Sequence, residues 1–142
     1  MDEKIDLVFE PDNARAASYV RDRLSMFNSS RTGRSDYYPC NIFLKGEKGE
    51  TLGGLLGDVW SNWLFVAILW VDEPLRGKGH ATRLMDAAEA YARDRGCHSV
   101  HLDTHSWQAR PFYEKRGYEL FATLDGFPDD HKKFFLKKKL TA

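Results

Sequence analysis

Leu69–Trp70–Val71–Asp72–Glu73–Pro74–Leu75–Arg76–Gly77–Lys78–Gly79–His80–Ala81 is the stretch on which the reading of this chain turns. An apolar run from Leu64 to Val71 ends in a Pro-containing turn, the turn feeds a glycine-rich loop, and the loop opens into an amphipathic helix. That order of parts makes an anion site. The first amides of a helix have no internal partner, the helix dipole adds partial positive charge, and glycines let a phosphate approach the backbone. The predicted ligand therefore carries phosphates.

Two common phosphate loops do not fit. A P-loop ends in Gly-Lys-Ser/Thr, but Gly79 is followed by His80, so neither the lysine nor the magnesium-binding hydroxyl is in place. A dinucleotide fingerprint needs a third Gly or Ala where Thr82 stands, and an acid closing the next strand. The loop instead resembles the acetyl-CoA loop of the GCN5-related N-acetyltransferases, R/Q-x-x-G-x-G/A, with Arg76, Gly79 and Ala81 at its fixed positions. Downstream, Ala109-Arg-Pro-Phe-Tyr113-Glu-Lys-Arg-Gly117-Tyr118 is similar to that family's A-x-x-x-Y-x-x-x-G-F/Y segment. Two independent motifs in the family's order make the resemblance specific over roughly residues 50 to 140.

Bulk properties agree with a small enzyme. A chain of 142 residues fits one domain, 1–142, with a buried core. Apolar residues make up 42% and charged residues 30%, an ordinary globular balance. Lys plus Arg equals Asp plus Glu at 21 each, so no global field attracts nucleic acid. Cys40 and Cys97 form no CxxC or His-spaced metal pattern, and no metal is expected. No signal-like apolar stretch opens the chain and no run approaches membrane-spanning length, so a reduced, cytoplasmic protein without a membrane partner is expected.

Along the chain the pattern predicts a strand at Ile5–Glu10, then a helix capped by Asp12 with Ala17, Val20, Leu24 and Phe27 on one face. Asn28–Pro39 reads as a loop or a poorly defined second helix. Strands at Asn41–Lys45 and Thr51–Trp60 are joined through Gly46–Gly49, and Ser61–Asn62 is a tight turn into the strand Leu64–Val71. A helix from Gly79 to Arg95 places Ala81, Leu84, Met85, Ala88 and Ala92 inward and Arg83, Asp86, Glu89 and Arg93 outward. Ser99–Thr104 completes a right-handed strand–helix–strand crossover, so it should lie parallel to Leu64–Val71. A short helix at Tyr113 and strands Tyr118–Leu124 and Lys132–Leu140 finish the chain. The resemblance implies an α/β (α+β) fold: a mixed, mostly antiparallel sheet with a central pair of splayed parallel strands, flanked by helices.

It also implies roles. The amides of Gly77, Lys78, Gly79, His80, Ala81 and Thr82 would cradle the pyrophosphate of acetyl-CoA, and Arg76 and Lys78 are placed to add charge. Lys78 by itself reads more simply as a solvated cation. Leu69, Trp70 and Val71 would run beside the pantetheine arm, with Trp70 read as a packing residue. Tyr113 would protonate or hydrogen-bond the departing thiolate. Phe112, Gln108 and Ser106 are further cofactor contacts, Ser106 standing where many relatives have Asn.

The general base is not legible. Asp72 and Glu73 lie in a turn; His101, Asp103 and His105 share one strand face, and His131 follows Asp129 and Asp130. The basic tail at Lys132–Lys139 is interleaved with Phe134, Phe135 and Leu136, as in a strand edge rather than a nucleic-acid patch. The four tryptophans read as core or cleft lining. The reading is an acetyl-CoA-dependent N-acetyltransferase in which a primary amine, a small cationic molecule by preference, attacks the thioester directly in a ternary complex. Its alternatives are a non-catalytic acyl-CoA sensor and an acetyltransferase of a protein amine. Homodimers are common among relatives.

Overall fold

The structure, a computed structural model, describes residues 3–140, which divide into two compact units between Ser35 and Asp36. The first unit holds one helix, α1 (Ala14–Thr32). Its cap is Asn13 rather than Asp12: the Asn13 carboxamide accepts from the Ala16 amide at 2.9 Å, while the Asp12 carbonyl is taken by Ala14 N–H in a preceding turn. The helix runs through Asn28–Thr32, expected to be loop or a separate helix, and stops at Gly33 in the left-handed region. Ile5–Glu10 is irregular and not a strand; alternating apolar residues make a strand only where a ladder partner satisfies the backbone.

The second unit is a six-stranded sheet with two helices. Its elements are β1 (Tyr37–Lys45), β2 (Thr51–Trp60), β3 (Trp63–Val71), α2 (His80–Asp94), β4 (Ser99–His105), α3 (Arg110–Lys115), β5 (Glu119–Asp125) and β6 (Lys132–Lys139). The strand order is β1-β2-β3-β4-β6-β5, antiparallel throughout except for the parallel pair β3–β4. β1 starts earlier than expected because Tyr37–Cys40 find register partners in Gly57–Trp60. Ser61 and Asn62 both take positive φ (51° and 71°), the twist that a two-residue hairpin between right-twisted strands requires.

Two irregularities shape the centre of the sheet. The parallel ladder runs only from Trp63–Ser99 to Val66–Leu102, and beyond it β3 and β4 part. One residue further on, β3 carries a bulge: Leu56 pairs with Ile68 and Gly57 with Val66, so Ala67 has no partner on β2. The bulge shifts the phase of burial. Leu64 and Val66 point into the core before it, Leu69 and Val71 after it, and Ile68 and Trp70 turn outward. A Cβ at Gly57 would stand 2.2 Å from the Phe65 carbonyl oxygen, so only glycine lets β2 approach this kink.

One face of the sheet packs on α2. Leu55, Val59, Leu64, Val66, Val100, Leu102 and Leu136 meet Leu84, Met85, Ala88 and Ala92, the predicted apolar stripe. Each large side chain so buried contributes about 1.5–3 kcal/mol. Glu89, expected on the outer face, is buried instead, for a reason that lies in α3 and β6. Tyr118 hydroxyl (2.8 Å), Lys138 Nζ (2.8 Å) and Arg116 Nη2 (3.1 Å) all donate to its carboxylate. Arg116 also reaches Asp86 at 2.9 Å, so the cluster ties α2 to the α3 exit and to β6.

Candidate active site

The glycine-rich loop is built by its own strand. After Val71 the chain makes one 3-10 turn (Glu73–Leu75) and is folded back by Arg76, whose Nε donates to the Val71 carbonyl at 2.8 Å. The guanidinium lies 4.5 Å over the Trp70 ring, and Trp70 Nε1 donates to Asp72 at 3.0 Å. Trp70 therefore packs outside the core, as the platform for this brace, and is 55% exposed. Arg76 does structural work that its motif position alone does not reveal.

Gly77 (φ 76°) and Gly79 (φ 85°) are left-handed, and nothing lies within 4 Å of a Cβ built on either. Conformation, not crowding, demands glycine there, and the backbone edge is open to a ligand. The first bond of α2 runs from Arg83 N–H to the Gly79 carbonyl (3.1 Å), so the amides ahead of Arg83 have no intrahelical acceptor. Arg83 also sets its Nη1 3.1 Å from His80 Nδ1, adding a cation at the helix start. Val71, Arg76, Gly77, Gly79, His80, Ala81, Thr82 and Phe112 converge with Leu75 on a cavity of about 250 Å³. Lys78 and Trp70 stay outside its wall, and Leu69 packs on the core beside it.

Ser106 and Gln108 organise the turn between β4 and α3. Ser106 Oγ accepts from the Lys132 amide at 3.0 Å and lies 2.9 Å from His131 Nδ1. Gln108 Oε1 accepts from His105 N–H (2.7 Å) and Thr104 Oγ1 (3.2 Å), which leaves only its amide nitrogen for a ligand. These brackets fix the turn that leads into α3, with Pro111 in its first turn as expected. Tyr113 is turned inward, 6% exposed, between Phe112 (5.2 Å) and Tyr118 (5.8 Å). Its hydroxyl has no hydrogen-bond partner among the described residues. Burial, and then the charge of Asp103, push its pKa up to about 12, so the phenol keeps its proton at neutral pH.

His101, Asp103 and His105 do share one face of β4, against Val100, Leu102 and Thr104 on the core side. They are not equivalent. His101 stacks on Phe65 at 4.7 Å, Asp103 lies 3.9 Å from Lys133, and His105 stacks on Trp107 at 4.7 Å. Burial holds His101 below the ordinary histidine value, with Asp58 and Asp103 pulling the other way. Asp58, on β2, has strand neighbours that carry no motif; only the sheet register sets it across Phe65 from His101.

Residues 6–118 match the acetyltransferase (GNAT) family. The chain belongs to that family. It is 34% identical over 127 residues to acetyltransferase Atu2258 of Agrobacterium fabrum, covering 89% of this chain and 93% of that one. Blasticidin-S acetyltransferase of Streptomyces morookaense is 43% identical over 96 residues, 67% of this chain and 71% of that protein. A crystal structure of an acetyltransferase from Agrobacterium tumefaciens superposes with a TM-score of 0.84 at 32% identity, over 98% of this chain and 99% of that one. GNAT proteins use acetyl-CoA as donor, and this chain is an N-acetyltransferase. Its open glycines and unpaired helix amides fit the phosphates of that donor.

Proposed function

We propose that this protein acetylates a small cationic primary amine, which attacks acetyl-CoA directly with both substrates bound. The observation that carries the reading is the parting of β3 and β4 past Val66–Leu102, with the amide-lined cavity at the end of β3. Acetyl-CoA supplies a thioester whose acyl carbon accepts the amine and whose sulfur leaves as a thiol. Residues Gly77–Thr82 hold the phosphates by their backbone amides, and Arg76 shapes the loop that presents them. Past Val66 the pairing of β3 with β4 ends, so backbone N–H groups on that edge of β3 face the split without a ladder partner. An amide so placed stabilises the developing oxyanion by about 3 kcal/mol. Tyr113, protonated and without a hydrogen-bond partner among the described residues, donates its hydroxyl to the departing sulfur.

The relative that acetylates blasticidin-S supports a small-molecule acceptor. The family match extends across both compact units, which supports reading residues 1–142 as one N-acetyltransferase domain. Among the described residues no helix is long and apolar enough to cross a membrane. The reading further places the protein in the cytoplasm, with small molecules as its partners. The test is thiol release from acetyl-CoA across a panel of amines, with Tyr113→Phe beside the wild type. We expect turnover with a cationic small amine and a kcat about 100-fold lower in the variant. Stability should change by less than about 1 kcal/mol, because the hydroxyl lost has no partner. An unchanged kcat would remove Tyr113 from the chemistry.

A further inference from the structure

The sheet face turned away from α2 carries a second cavity, of about 460 Å³, that the donor site does not use. Its walls are aromatic: Trp60, Trp63, Phe65 and Phe121. Its charged groups are arranged in a row across four strands. Asp58 on β2 pairs with Phe65 on β3, Phe65 with His101 on β4, and His101 with Lys137 on β6. Three strand spacings, roughly 14 Å of backbone, separate the acid from the lysine. Lys137 lies 5.5 Å over the Phe121 ring, so that end is positive and the Asp58 end negative. The polarity gives a bound cation one orientation.

We propose, building on the acetyltransferase reading, that this cavity receives the acceptor: a primary amine on a flat apolar body, its nitrogen at Asp58 and His101. Aromatic walls beside a single carboxylate suit such a ligand, since ring faces attract a cation and stack on a flat apolar body. The position suits transfer as well. Phe65 and His101 stand two residues before Ala67 and Asp103, where the strands part, about 7 Å along the sheet.

His101 is the base. Its ring is held by Phe65 (4.7 Å) and the edge of Trp63 (5.6 Å), and it is neutral near pH 7. A protonated amine sheds two protons in becoming an amide. The first goes to His101 and from there to solvent. The second is lost as the C–N bond forms and the C–S bond breaks, and it ends on the thiol sulfur. Asp58 binds the ammonium and, by its charge, favours the imidazolium that results. The other charged groups facing His101 are Asp103 on its own strand and Lys137 on β6.

Phenethylamine, a flat cation, is the probe. Its binding to the wild type, to Asp58→Asn and to His101→Gln is measured by calorimetry beside acetyl-CoA binding, and its turnover by thiol release. We expect Asp58→Asn to weaken phenethylamine at least 10-fold, and His101→Gln to lower kcat about 100-fold, with acetyl-CoA affinity unchanged in both. The acid limb of kcat/KM in the wild type should lie below the ordinary histidine value and move lower still in Asp58→Asn. Wild type that binds acetyl-CoA but not phenethylamine sinks the pocket alone, as does binding without turnover or variants that match the wild type. Wild type that binds phenethylamine but not acetyl-CoA sinks the acetyltransferase reading instead.

Discussion

At Gly79 one backbone angle decides whether the loop can be the phosphate site proposed above. Its φ of 85° lies where a Cβ is strained, and no protein atom would meet that Cβ. Gly79→Ala should therefore cost about 1–2 kcal/mol of stability through conformation alone. The added methyl would project where phosphate is expected, so acetyl-CoA affinity should fall at least 10-fold by calorimetry, with thermal melting giving the stability term. A variant that binds acetyl-CoA as well as wild type would move the phosphates away from this loop. The glycine was legible because its type and spacing carry the requirement. Arg76 was only half legible: its position in the motif is plain, but its bond to the Val71 carbonyl appears only once the chain has turned back.

Among the elements, α2 teaches most about burial. Helical spacing placed Leu84, Met85, Ala88 and Ala92 inward, and they are inward. The same spacing put Glu89 outside, and it is 3% exposed, because periodicity cannot know that Arg116 and Tyr118 arrive from the turn between α3 and β5 and Lys138 from β6. Burial pushes the Glu89 carboxyl up, but the hydrogen bonds from Lys138, Tyr118 and Arg116 outweigh it and hold it below the usual range. A carboxyl with a lowered folded pKa stabilises at pH above its unfolded value. That contribution should fade as pH falls below about 4.3 toward the folded pKa. Glu89→Gln leaves two cations facing a neutral amide and should cost about 3 kcal/mol near pH 7. Thermal melts should show the gap between variant and wild type narrowing toward pH 3; a constant gap would mean that Glu89 acts by packing alone. The bulge at Ala67 is the opposite case, with no signal in Ala67 itself; the close approach at Gly57 is its one trace in the chain.

For the whole molecule, donor binding and folding are linked. A ligand that binds only the folded chain stabilises it by about 2.7 kcal/mol at 100 times its Kd. For a domain of this size that is a rise in Tm on the order of 5–10 °C. Acetyl-CoA should produce it in wild type and in Asp58→Asn, and much less in Gly79→Ala, by scanning calorimetry. Equal shifts in all three would separate the donor from the loop. The sequence by itself determined the strand–loop–helix order at 64–95, the second motif at Tyr113, and through them the family and the donor, because these depend on residues close together along the chain. The proposed acceptor face is visible only in the tertiary structure. Asp58, Phe65, His101 and Lys137 lie on four strands, and their meeting depends on a register that no local spacing encodes.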